Sequence, residues 1–192
     1  MEQPLAIHDV PLPYVGRLGM RSLDAIDLVV IHCTELPDLA TARGYGERIV
    51  HPSGTGNSGH YYIDRDGTLF RYVPDARIAH HTRGCNERSI GIELVNTGRY
   101  PDWFDSRTQA MTEPYPDPQI GALVALLAQL RAMLPNLARI AGHADLDVHL
   151  IAASDDAARK VRRKLDPGPL FPWQRVLAAC GLQRLEPGKV PV

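Results

Sequence analysis

The sequence predicts an α/β fold, a central mixed β-sheet flanked by helices. Three observations carry that prediction. Residues 26–31 (IDLVVI) form a continuous apolar, β-branched run, the pattern of a strand buried on both faces. Residues 119–134 (QIGALVALLAQLRAML) are too many for one strand and apolar almost all round, which predicts a well-buried helix ending before Pro135. Two β-prone runs, 60–63 (HYYI) and 68–73 (TLFRYV), flank Asp66-Gly67 and read as a hairpin. Strands and helices interleave along the chain, so the sheet is expected to be packed on both faces.

The other elements follow in order. A polar stretch at 35–38 (ELPD) leads into a helix over about 39–50, in spite of Gly44 and Gly46. Residues 51–59 (HPSGTGNSG) are a loop by composition. In 89–95 (SIGIELV), Ile90, Ile92 and Leu94 share one face of a strand, and Gly91, Glu93 and Val95 share the other. The stretch 96–118 reads as a long surface loop whose Trp103, Phe104 and Tyr115 either stack on the rings of a ligand or pin the loop to the domain. Residues 139–142 (RIAG) predict a short strand delivering His143. Ser154-Asp155-Asp156 then reads as the cap of a basic helix running to about Lys164, acidic at its start and cationic at its end. Asp166-Pro167-Gly168-Pro169 breaks that helix, and Pro172-Trp173-Gln174 opens a last one to Ala179. There is no internal repeat.

The 192 residues fit one domain, with its core over about 26–180. Lys plus Arg (21) nearly cancel Asp plus Glu (22), which gives no reason to expect nucleic acid or an anionic membrane as partner. No apolar run approaches the ~18 residues of a spanning helix, and a monomer is expected. Met1-Glu2-Gln3-Pro4 lacks the basic and apolar regions of an export signal, which favours the cytoplasm. Cys33, Cys85 and Cys180 are odd in number and contain no CxxC pair, in keeping with reduced thiols rather than a disulfide framework.

Three residues at element edges are candidate metal ligands: His32 after the IDLVVI strand, His143 after RIAG, and Asp166 in the KLDPGP turn. Two imidazoles, a carboxylate and an open position for water would make a catalytic zinc site. Each also has a bland reading, as a hydrogen-bonded strand-end histidine or a turn-forming aspartate. Glu93 interrupts an otherwise apolar strand, which is costly unless the carboxyl has a task or a partner. Either its face lines a cleft, where it can serve as a general base, or that face is solvated.

Three strings together resemble N-acetylmuramoyl-L-alanine amidases of the AmpD-like branch, related to phage lysozyme amidases and peptidoglycan-recognition proteins. They are 85–93 (CNERSIGIE), Gly142-His143-Ala144-Asp145, and 164–173 (KLDPGPLFPW), and they occur in the family's order. The resemblance runs from about Ile26 to Leu177. It implies the amidase/peptidoglycan-recognition-protein-like fold, with one Zn2+ per chain held by His32, His143 and Asp166. It also implies Glu93 as the catalytic glutamate and Lys164 as the residue that stabilises the transition state. His60 falls at a structural strand histidine. His81, Arg83 and Asn86 fall near the substrate groove, and His80 stands where the family usually has tryptophan. The implied reaction is hydrolysis of the amide between the lactyl group and L-alanine in peptidoglycan fragments or muropeptides. The competing reading is a recognition module that binds peptidoglycan without cutting it.

One departure stands out. Residues 144–163 are longer than the family's usual link, and contain Asp145, Asp147, His149, Asp155 and Asp156. They are expected to form an excursion on the groove rim. Its cations are either a solvated face or an attraction for stem-peptide carboxylates. His149 is a less favoured alternative ligand.

Overall fold

The strands that position everything else are the most apolar ones. In the computed structural model, which describes residues 5–188, strand β2 (Leu28–Cys33) is buried along its whole length. It pairs in parallel with β5 (Ser89–Leu94) on one side and β6 (Arg139–Gly142) on the other. Beyond β5 come β3 (Tyr61–Ile63), then β4 (Leu69–Arg71) and β1 (Ile7–Asp9); beyond β6 comes β9 (Gln183–Arg184). Within this sheet, among the described residues, only the β3–β4 pairing is antiparallel, so the sheet is mixed, as expected. Met1–Pro4, on which the expectation of no export signal rests, lie outside the described residues. Among the described residues no helix is long and apolar enough to cross a membrane.

Strand alternation divides the two faces. Val29 and Ile31 of β2 and Ile90, Ile92 and Leu94 of β5 pack against helix α2 (Asp117–Met133) and helix α4 (Trp173–Cys180). On the opposite face Leu28 and Val30 pack with Cys85 and Ala141, and His32 is the next residue on that side. A second apolar cluster, including Leu12, Tyr14 and Tyr62, lies under helix α1 (Leu39–Gly46).

Four details differ from the sequence-based expectation. The first strand begins two residues later, because Asp27 is engaged by Arg88 and Arg139 at the strand's entrance, and it runs one residue past His32 to Cys33. Helix α1 stops at Gly46, not near Val50, since the Val50 and His51 amides bond to the Thr55 carbonyl in the following loop. Helix α2 buries Ile120, Leu123, Leu126, Leu127 and Leu130 but leaves Gly121, Ala125 and Ala128 exposed; its outer face is small rather than polar.

The fourth difference is the largest. The helix expected over 154–164 is absent, and strands β7 (Leu150–Ala152) and β8 (Lys160–Arg162) form an antiparallel hairpin instead. A helix α3 of one turn (His143–Leu146) precedes it. Tertiary contacts outweigh the helix signals. Asp155, expected as part of a cap, accepts from the Ser106 amide and hydroxyl at 2.7 and 2.8 Å. Val161 is buried between exposed Lys160 and partly exposed Arg162, a strand's alternation.

The hairpin and the 96–118 loop are therefore one unit. The Ser154 amide bonds to the Phe104 carbonyl at 2.8 Å. Arg99, its side chain 1% exposed, makes a bidentate pair with Glu35 (8% exposed) at 2.6 and 2.8 Å. Its Nη1 also donates to the Arg162 carbonyl at 3.0 Å and its Nη2 to that of Arg163 at 3.4 Å. One guanidinium thus joins the turn after β2, the long loop and the hairpin. Arg99→Ala would leave Glu35 buried without its partner and is expected to cost about 3–5 kcal/mol in urea denaturation. A loss below about 1 kcal/mol would show that the pair does not hold these segments together.

Candidate metal centre and active site

Parallel pairing brings the chemistry to one level of the sheet. Tyr62 of β3 is in register with Glu93 of β5, and Glu93 with His32 of β2. Gly142, the last residue of β6, lies opposite Ile31, so His143 emerges beside His32 as the first residue of α3. Asp166 arrives from the turn before cis-Pro167. Its carbonyl accepts from the Ala144 amide at 2.9 Å, and the Tyr115 hydroxyl holds the Pro167 carbonyl at 2.6 Å.

The three candidate ligands converge. His32 Nδ1 lies 3.0 Å and His143 Nδ1 3.1 Å from Asp166 Oδ2, and one donor atom from each residue falls within 4.8 Å of the others. All three side chains are buried. Asp166 Oδ1 is buried with no hydrogen-bond partner, a costly state for a carboxylate oxygen unless a cation takes it. Two imidazoles and a carboxylate, beside an open cleft, suit a metal ion that keeps a position for water or substrate. His32, His143 and Asp166 can therefore hold a metal.

Burial alone would raise the Asp166 carboxyl, but His143 and His32, together with the Lys164 charge, hold it well below the ordinary range. Burial, with His143 alongside, pushes His32 down to about 4, so the ring is neutral and fit to bind a metal. Glu93 is pushed up to about 8 by burial, the Asp166 charge adding to the effect and Lys164 opposing it. Its Oε1 lies 4.0 Å from His32 Nδ1. Gly59 packs directly on it, and a Cβ there would come within 2.8 Å of Glu93 Cγ. Of the two readings of this strand face, the structure has the cleft.

That cleft, about 530 Å³, contains all three candidate ligands with Glu93 and Lys164. Arg83 is exposed at its rim, and Asn86 lines it while its Oδ1 accepts from the His81 and Thr82 amides at 3.0 and 2.8 Å. His81 lies against His32, with His32 Nε2 3.0 Å from His81 Nδ1. His80 packs against His51 at the cleft wall, with ring centroids 4.6 Å apart and planes tilted by 49°. His60 is fully buried, with its Nδ1 accepting from the Gly91 amide, and has no part in the ligand cluster. His149 pairs with Asp147 at 2.9 Å and is likewise outside the cluster. Of the loop aromatics, Trp103 lines the cleft and donates to the Glu35 carbonyl at 3.0 Å, while Tyr115 pins the Pro167 turn. Sequence reasoning missed the Arg99–Glu35 pair, which gives no periodic signal. It also missed Thr82, whose hydroxyl lies 3.3 Å from His32 Nε2.

Comparison with known proteins agrees with this geometry. The chain is 32% identical over 180 residues to the 1,6-anhydro-N-acetylmuramyl-L-alanine amidase AmpD of Enterobacter cloacae, covering 89% of this chain and 76% of that protein. The structure of the amidase AmiD from E. coli in complex with anhydro-N-acetylmuramic acid-L-Ala-D-gamma-Glu-L-Lys matches at a TM-score of 0.59 and 27% identity, over 83% of this chain and 58% of that one. The amidase LysC from Clostridium intestinale shares the fold, with a TM-score of 0.65 at 22% identity, over 93% of this chain and 99% of that one. Residues 22–169 match the N-acetylmuramoyl-L-alanine amidase family, and the chain belongs to it.

Proposed function

We propose that this protein is a zinc-dependent N-acetylmuramoyl-L-alanine amidase acting on muropeptides that carry an anhydromuramoyl sugar. The observation that carries the reading is the buried His32–His143–Asp166 cluster with its unpartnered carboxylate oxygen, set beside Glu93 in one cleft. The anhydro sugar is supported by the AmpD relatives named for that substrate. Recycling of released wall fragments, rather than attack on intact wall, is the role in keeping with it.

When bound by His32, His143 and Asp166, a zinc ion supplies Lewis acidity and lowers the pKa of water. The chain's own residues do the rest. Glu93, partly buried on the cleft wall, takes a proton from the attacking water and passes it to the departing alanine amine. Lys164 places a cation where negative charge gathers on the scissile carbonyl oxygen. Asp166 is an ionised ligand, since even in the metal-free site the two imidazoles and the Lys164 charge hold its carboxyl well below the ordinary range. Arg83 at the rim can attract the acidic stem peptide.

Incubation of the zinc-loaded protein with an anhydromuramoyl tripeptide should release a stem peptide beginning with L-alanine, identified by mass spectrometry; binding without turnover would reject the amidase. Asp166→Ala should bind no stoichiometric zinc by metal analysis, and a retained equivalent would reject the ligand set. Glu93→Gln should keep its zinc and slow turnover by about 10²–10⁴-fold, with near-normal rates removing Glu93 from the mechanism. The same variant tests the raised pKa. In metal-free wild type the native Glu93 keeps a proton that the unfolded chain releases, so stability is lost as pH rises from 4.5 to about 8. Thermal denaturation in chelator should show Glu93→Gln gaining on wild type across that window; a pH-independent difference would contradict it.

A further inference from the structure

The two-residue alternation Ser89-x-Gly91-x-Glu93 puts three side-chain positions on the site face of β5. Glu93 has a task in the proposed reaction, and Ser89 and Gly91 have none. Both meet His81. A Cβ on Gly91 would come within 2.6 Å of the His81 Cγ and 2.7 Å of its Nδ1, so the imidazole lies directly on the bare backbone there. Ser89 Oγ is 3.2 Å from His81 Nε2, and its own proton is donated to the Cys85 carbonyl at 2.7 Å. On the other edge of the ring, His81 Nδ1 lies 3.0 Å from His32 Nε2.

Hydrogen-bond polarity fixes the direction of this chain. A histidine that offers Nδ1 to a metal is neutral and carries its proton on Nε2. His32 Nε2–H has two acceptors within reach, His81 Nδ1 and Thr82 Oγ1 at 3.3 Å. Thr82 Oγ1 is also 3.0 Å from His81 Nδ1, so its proton is directed at that same nitrogen. By either route His81 Nδ1 accepts, and its proton belongs on Nε2. Ser89 can receive it because the Cys85 carbonyl already takes the serine's own proton. Asn86 fixes the backbone of the segment by accepting from the His81 and Thr82 amides.

We propose that His81 is a positioning residue for the metal centre, fixing the orientation and tautomer of His32 through the chain His32 Nε2–H to His81 Nδ1, His81 Nε2–H to Ser89 Oγ, and Ser89 O–H to the Cys85 carbonyl. This rests on His32 being a zinc ligand through Nδ1. It assigns Ser89 as the anchor of the ring and Gly91 as the space for it. A metal-bound histidine held through its second nitrogen is better oriented and more basic, and loss of the partner typically weakens metal binding by about 10–100-fold.

The test measures zinc affinity, by competition with a chromophoric chelator, for wild type, His81→Leu and His81→Gln. Leucine fills the space but accepts no proton, and should weaken binding by about 10–100-fold. Glutamine offers an oxygen to His32 and an NH2 to Ser89, and should restore most of the affinity. Wild-type affinity in His81→Leu, or equal losses in both variants, would overturn the proposal, because a ring that merely fills space does not distinguish them. A measurement on the unaltered protein stands independently of how the variants fold. Nitrogen–proton correlation spectra of the zinc-loaded, 15N-histidine-labelled protein should show both His32 and His81 protonated at Nε2. A proton on His81 Nδ1 would overturn the proposal. Wild type that takes up no zinc would instead reject the metal-site reading, and this inference with it.

Discussion

The register between β2, β5 and β6 is the constraint on which the site depends. Parallel pairing sets His32 beside Glu93, and the end of β6 one rung earlier hands His143 to the same place. A slip of one residue would send His32 and Glu93 to the α2 face and bring Ile31 and Ile92 into the cleft. The apolar residues between them hold the register. Val29, Ile31, Ile90 and Ile92 are fully buried against the helices, so any slip would expose core and bury charge together. Fold and site are therefore specified by the same alternation.

This is also why much of both was legible in the sequence. IDLVVI, SIGIELV and RIAG announce strands, and an in-line glutamate among isoleucines singles out Glu93, while the choice between a cleft and a solvated face for it came from the structure. The ligand trio carried less information by itself. His32, His143 and Asp166 are far apart in sequence, with no local motif, and each had an ordinary alternative. Family resemblance supplied the grouping, and the structure brings the three donor atoms together. The convergence depends on a turn, Asp166-Pro167, held from outside by Ala144 and Tyr115, which no periodicity encodes.

The hairpin shows where local signals are overridden. Residues 154–164 carry an acidic start and a basic end, yet fold as a hairpin. Its stability comes from partners about fifty residues earlier: Phe104 and Ser106 bond to Ser154 and Asp155, and Arg99 takes two backbone oxygens. Helix propensities differ by only tenths of a kcal/mol per residue, which several long-range hydrogen bonds and a buried Val161 readily exceed. A single-sequence reading sees the local preference and not the remote partner. Arg99 itself was invisible for the same reason, since a buried arginine in an irregular loop has no pattern to betray it.

The Arg99 junction has a consequence for how this scaffold tolerates change. The carbonyls that Arg99 holds belong to Arg162 and Arg163, immediately before Lys164, so the cleft wall and the turn that carries Lys164 and Asp166 share a mechanical joint. Exchange of the hairpin alone for a shorter link would remove two of the acceptors and shift the span that delivers Lys164 and Asp166. Exchange of the long loop alone would remove the guanidinium. A grafted groove therefore has to carry both segments as a pair, set on an unaltered β2, β5 and β6.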